Sequence, residues 1–227
     1  WRHLDSPQAR EWLARAQDAC SPPLTASRVL GALGSMVASR IAREFRLGGP
    51  SFTVSAGEAS GVRALAIAVR ALQANELDWA LAGAVDLCGD LRAVALHQAV
   101  RPFSPSVRLS PFDPAADGTL PGEGAVALVL KRLDRALADR DRVIAVVRGI
   151  GAAGGGGIDS ETPSRDAYRR SLAGALAEAR VDPAGIGCIE AHGSGIPAED
   201  ALESELLGGY ARSLGEDVRP GSAKSVC

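Results

Sequence analysis

Residues 79–85 (WALAGAV) form an unbroken apolar run of strand length. A strand with no polar position is the pattern of one covered on both faces, and this run most constrains the fold. Just before it, residues 59–74 carry small and aliphatic side chains on nearly every side, as a buried helix does. Before that, residues 51–54 alternate in β-favouring types and predict a short strand. Strand, buried helix and buried strand make a βαβ unit, which predicts an α/β fold.

The rest of the chain fits that class. Residues 6–20 predict a short amphipathic helix closed by Ser21-Pro22-Pro23, and a second helix is expected over about 25–45. Residues 101–124 are rich in proline, serine and glycine, and a loop this long in a compact domain is more often functional than idle. Strands are predicted over 125–130 and 143–148 around a polar helix at 133–138. A helix over 167–180, a strand over 188–191, a helix over 201–214 and a strand near 221–225 complete the pattern. With 227 residues, no repeat and no internal linker, the chain predicts one domain, and its ends at Trp1 and Cys227 suggest a piece of something longer.

Composition excludes several function classes. The net charge of −2 and the scattered arginines imply neither nucleic acid nor an anionic membrane as partner. No apolar run approaches the roughly 20 residues of a membrane span, and the N-terminus has no signal-peptide profile. Cys20, Cys88, Cys188 and Cys227 have neither paired nor metal-type spacing and read as reduced thiols of a cytoplasmic protein.

Four local features carry possible chemistry. Gly149-Ile150-Gly151-Ala152-Ala153-Gly154 spells GxGxxG, but a dinucleotide site needs its last glycines to open a helix, and Gly155-Gly156-Gly157 with Pro163 soon after predicts a flexible loop. Ser55-Ala56-Gly57-Glu58 matches a capping box, with Ser55 as N-cap and Glu58 reaching back to its amide. His192, at the carboxyl end of a strand and followed by Gly193-Ser194-Gly195, lies where ligands tend to bind in an α/β sheet; the alternative is a histidine that merely satisfies a turn. Asp113, Asp117 and Glu123 are interrupted by Pro114, Leu120 and Pro121, so bonding to loop amides is expected of them rather than a metal. His3 and His97 read as surface residues.

Four segments in order are more specific: FDPAADGTLPGEG at 112–124, ALVLKRLDRAL at 127–137, EAHGSGIPAEDALE at 190–203 and GSAKS at 221–225. Together they resemble the β-ketoacyl synthase family, the condensing enzymes of fatty-acid and polyketide synthesis, over about residues 35–227. The first matches the family's FDxxADGxxxGEG throughout. The third resembles EAHGTGTxxGDxxE, with Ser194 and Ile196 at the two threonine positions and Glu199 in place of a glycine. The resemblance implies a thiolase-like fold layered α-β-α-β-α, present as a fragment truncated at both ends. The first half of that fold would run to about residue 180 and the second would start at about 181.

Aligning SFTVSAGEASG with the family's strand-to-helix elbow, usually close to VDTACSSS, puts Glu58 where the nucleophilic cysteine belongs. In the family that thiolate, held at a helix N-terminus, accepts the acyl chain, and two histidines assist decarboxylation of a malonyl unit. His192 resembles the first of these histidines and Lys224 the lysine that orders the site; the second histidine would fall just past Cys227. At Ile196 a family threonine would contact the carrier's pantetheine arm. No bound cofactor is implied, the substrate being expected on the phosphopantetheine arm of an acyl carrier protein.

Without the cysteine, condensation through Glu58 would require a mixed anhydride, unfavourable to form from a thioester. Two roles remain open. One resembles the chain-length factors of polyketide and polyunsaturated fatty-acid synthases, which pair as hetero- or pseudo-dimers with a catalytic ketosynthase. The other resembles ketosynthase-fold decarboxylases of malonyl carrier protein, in which glutamine replaces cysteine. A charged Glu58 would oppose the substrate carboxylate: two unit charges 4 Å apart repel by about 4 kcal/mol at an effective dielectric of about 20. The family's dimers join through the strand before the elbow, here around residues 52–54.

Overall fold

The computed structural model describes residues 6–20, 25–88, 91–155, 164–214 and 219–225. The predicted break at Ser21-Pro22-Pro23, His3 and Cys227 lie outside the described residues. The chain divides into two compact units, Trp1–Ser60 and Gly61–Cys227.

The first unit holds α1 (Pro7–Cys20), α2 (Ala26–Ala32) and α3 (Met36–Glu44). The single helix expected over 25–45 is thus two. Thr25 caps α2 by accepting the Arg28 amide hydrogen at 3.3 Å, but Leu33 turns extended at φ −76° and ψ 114°. Gly31 and Gly34 flank that break, each costing a helix about 1 kcal/mol relative to alanine. Residues 51–54 join no ladder, so the predicted first strand is absent. Alternation only marks a chain suited to pairing; a strand also requires a partner's backbone.

The second unit contains most of α4 (Ser60–Gln73), then β1 (Trp79–Asp86), α5 (Leu91–Val100), β2 (Gly124–Lys131), α6 (Leu133–Ala138), α7 (Arg165–Ala179), β3 (Cys188–Glu190), α8 (Pro197–Leu214) and β4 (Arg219–Gly221). β1 pairs with β2 antiparallel, from Trp79 opposite Lys131 to Asp86 opposite Gly124, and β3 pairs with β4 parallel. The expected βαβ unit is therefore not formed among the described residues. Nor is β1 covered on both faces: Ala82 is its one buried residue, and Val85 stands 57% exposed. α4 likewise buries only Leu72. An apolar run records that a surface is suited to burial, not that this stretch of chain supplies the cover.

The predicted strand over 143–148 is also absent; those residues lead into a segment lying against α7. The Ile150 amide donates to Glu178 Oε2 at 3.2 Å, so its partner is a helix side chain rather than a neighbouring strand. A Cβ on Gly151 would sit 1.8 Å from the Ser171 carbonyl oxygen, so close approach of backbone to helix explains this glycine. No helix opens at Gly154, and residues 156–163 lie outside the described residues. The nearby face of α7 is tied to α4 by a two-pronged pair, Arg70 Nη1 and Nη2 to Glu178 Oε1 and Oε2 at 2.6 and 2.7 Å.

The strand expected near 221–225 ends at Gly221, and Ala223–Ser225 turn instead into a short 3₁₀ helix. The Ala223 amide donates to Glu190 Oε1 at 2.7 Å, which bends the chain back over the end of β3. α8 starts at Pro197, four positions before the predicted 201, because proline suits a first helical position and Glu199 and Asp200 follow in the positive first turn. Among the described residues no helix is long and apolar enough to cross a membrane.

Candidate functional site

The site is built where β3 ends. β3 and β4 run side by side, Glu190 opposite Gly221, and the Ala191 amide donates to the Gly221 carbonyl at 2.7 Å. Beyond Ala191 the chain cannot continue as a strand: Gly193 has φ 53° and Gly195 φ 76°, a left-handed backbone that favours glycine. A Cβ at Gly195 would meet the Gly118 carbonyl oxygen at 2.5 Å and Leu109 Cδ1 at 2.7 Å.

Turning away from the strand leaves four successive amides without sheet partners, and α8 supplies them. Glu203 Oε1 accepts the His192 amide at 2.8 Å and its Oε2 accepts that of Gly193 at 2.9 Å. Asp200 Oδ1 accepts the Ser194 amide at 2.8 Å and the Ser194 hydroxyl at 3.1 Å, and its Oδ2 accepts the Gly195 amide at 3.2 Å. Ser194, Asp200 and Glu203 are all nearly inaccessible to solvent. Spaced by three on one helix, the two carboxylates face the same way and grip consecutive residues of the turn.

Glu203 also accepts the Tyr168 hydroxyl at 2.5 Å, which joins α7 to the turn. Burial pushes the Glu203 carboxyl upward, yet hydrogen bonds from Tyr168, Gly193 and His192 outweigh it and hold the pKa below the ordinary value. Burial, with Glu203 adding to it, pushes the Tyr168 phenol up. The phenol therefore stays a donor.

Held this way, the His192 ring is exposed and its Nδ1 lies 3.1 Å from Lys224 Nζ. A protonated lysine can only donate, so Nδ1 accepts and a neutral ring carries its hydrogen on Nε2. That leaves a ring N–H free to polarise a carbonyl oxygen. Ile196 is half-buried, and its amide donates to Ser194 Oγ at 3.1 Å. His192, Lys224, Ser194 and Ile196 thus come together around one turn.

Glu58 belongs to the other compact unit. It is exposed, in a tight turn where Gly57 has φ 56°. The capping box is not formed. α4 begins at Ser60, and Ser60 Oγ accepts the Ala56 amide at 2.9 Å while donating to the Gly57 carbonyl at 2.5 Å. The extra residues are needed because the turn at 56–59 closes on itself, Ala59 N to Ala56 O at 3.2 Å, before a helix can start.

In the long loop, Asp113 accepts the Ala115 amide at 2.7 Å, as expected of a loop carboxylate. Asp117 instead takes the Ser104 hydroxyl at 2.5 Å, and serine hydroxyl bonds lower its pKa. Among the described residues no group of three or more histidines, cysteines or carboxylates is placed to hold a metal. His97 is exposed on α5, and Cys20, Cys88 and Cys188 are free thiols. No role for Asp200 or Glu203 follows from the sequence alone. Two carboxylates three apart, just after a glycine-rich turn, were the available signal.

Residues 8–136 match the β-ketoacyl synthase N-terminal domain and residues 144–227 its C-terminal domain. The chain is 44% identical over 184 residues to a phthioceranic/hydroxyphthioceranic acid synthase of Mycobacterium tuberculosis, covering 79% of this chain and 9% of that protein. It thus spans less than a tenth of the length of that curated relative. Among solved structures, the ketosynthase from module 6 of the bacillaene synthase of Bacillus subtilis 168 superposes with a TM-score of 0.77 at 31% identity, over 84% of this chain and 35% of that one. The ishigamide ketosynthase/chain length factor superposes with a TM-score of 0.76 at 30% identity, over 85% of this chain and 47% of that one. The fold is the thiolase-like fold of ketosynthases, of which this chain supplies a part. With both domains matched across nearly all of its length, the chain belongs to the β-ketoacyl synthase family.

Proposed function

We propose that this chain is a ketosynthase-like chain-length-factor unit of a fatty-acid or polyketide synthase. It pairs with a catalytic β-ketoacyl synthase and does not itself condense. The observation that supports this reading is Glu58, an exposed carboxylate in the turn before α4, which the motif alignment sets at the position of the family's cysteine. The partner site receives the acyl chain, on the phosphopantetheine arm of an acyl carrier protein, in the cytoplasm. Fold alone leaves this role and catalysis equally open, since a ketosynthase/chain length factor and a modular ketosynthase superpose on the chain about equally well. Pairing through residues 52–54 is supported by Phe52, 55% exposed in a segment with no ladder of its own.

A second reading has its own support. The His192–Lys224 pair leaves a ring N–H for a thioester carbonyl, which is the part of the machinery that decarboxylation of malonyl carrier protein needs.

The two readings separate by turnover of malonyl carrier protein with the full-length protein. The chain-length-factor role predicts no acyl transfer to the protein, no CO2 release above background, and reduced solvent exchange at residues 52–54 on adding the catalytic ketosynthase. CO2 release lost in His192→Ala would establish the decarboxylase instead. A covalent acyl adduct would overturn both. Release gained on Glu58→Gln would identify the carboxylate charge as what silences the site.

A further inference from the structure

The structure assigns Arg101 and Glu199 a joint role that the family motif does not contain: an ionic latch that fixes the loop over 102–119 against the His192 turn. Glu199 stands where the motif has glycine. Its side chain is 9% exposed, at the start of α8, and Oε1 accepts from Arg101 Nη2 at 3.0 Å; Arg101 directly follows α5 and opens the loop. Glu199 Oε2 is buried with no hydrogen-bond partner among the described residues, so Arg101 is what compensates this carboxylate.

Two further links join the same loop to α8 and to the turn. The Phe112 amide donates to Asp200 Oδ2 at 2.9 Å, and the Gly118 amide donates to the Gly195 carbonyl at 3.1 Å. At the first of them the loop is strained: Phe112 holds φ 62°, a left-handed conformation costly for a bulky residue. Such a residue persists only where its surroundings over-determine it. A buried ion pair adds little net stability over apolar residues of the same shape, and its best-attested use is to fix register. The pair at 101 and 199 meets that description. It joins the residue that opens the loop to the helix whose carboxylates hold the turn, and it closes on a backbone that would otherwise relax.

Arg101 and Glu199 are therefore positioning residues. They act on the loop, while His192 and Gly193 are held independently by Glu203. This role goes beyond the chain-length-factor reading and stands whether or not the site turns over substrate.

The test is residue-resolved amide hydrogen exchange on the full-length protein, comparing Glu199→Gln, Arg101→Gln and the double variant. The latch predicts exchange roughly tenfold faster at the Phe112 and Gly118 amides in either single variant, with no change at His192 and Gly193. The double variant should be no faster than Arg101→Gln alone, because the contact with Glu199 is already lost there. Arg101→Gln leaves the sequence of α8 intact, and unchanged exchange at His192 and Gly193 distinguishes loss of the latch from fraying of that helix. Unchanged exchange at Phe112 and Gly118, equal acceleration throughout the turn, or additive effects in the double variant would each overturn the latch.

Discussion

Two turns deliver this chain into helices, and they are held in opposite ways. The turn at 56–59 before α4 closes on its own backbone and on Ser60, with Glu58 exposed. The turn at 192–196 before α8 is closed by distant groups: every amide from His192 to Gly195 goes to Asp200 or Glu203. The first needs few particular side chains and can exchange its chemistry at little structural cost. The second cannot, because each replaced carboxylate strands buried donors. The contrast separates a turn that leaves its carboxylate, Glu58, exposed from one that buries both of its carboxylates, Asp200 and Glu203.

The sharpest way to break this contrast is Glu203→Ala. It leaves the His192 and Gly193 amides and the Tyr168 hydroxyl without their acceptor, and should cost about 3 kcal/mol or more in a urea-unfolding measurement. A cost below 1 kcal/mol would mean that the turn is not held by α8.

Gly195→Ala follows, at about 2 kcal/mol, since its Cβ would lie 2.5 Å from the Gly118 carbonyl oxygen at φ 76°. Thermal unfolding reads this directly, and an unperturbed melting curve would disprove the close approach of loop and turn.

Acid titration sharpens the comparison further. The Glu203 pKa is lower folded than unfolded, so its charged form contributes stability in full above the unfolded value of about 4.3. That contribution is lost as the pH falls through the depressed folded value. Urea midpoints measured from pH 6 down to 2 should therefore fall more steeply at the acid end for the native chain than for Glu203→Gln. Parallel curves would remove Glu203 from the acid response.

The smallest effect is expected at the other turn. Glu58→Ala should change unfolding free energy by less than about 0.5 kcal/mol, as an exposed substitution does. A loss comparable to that of Glu203→Ala would erase the distinction between the turns.

Much of this was legible in sequence, and the failures share one cause. Helices α1, α6 and α7 and strands β1 and β2 follow from local pattern within a few residues. The strands expected at 51–54 and 143–148 do not form, because strand formation needs a partner backbone that alternation cannot supply. The capping box at Ser55 failed because Gly57, in the left-handed region, admits a turn that competes with the first helical turn. His192 and Lys224 were legible through the ordered motifs, but that they lie 3.1 Å apart follows from β3 and β4 being neighbours.

By itself, then, the sequence determined the family, helices α1, α6 and α7, and a glutamate ahead of α4. Those depend on residue identity and short-range spacing. Only the tertiary structure decided that Asp200 and Glu203 hold the histidine turn, that Glu199 meets Arg101, and that β1 pairs with β2. Each joins residues far apart in the chain or turns backbone donors toward a side chain, and hydrogen-bond partners at that range are set by packing rather than by local preference.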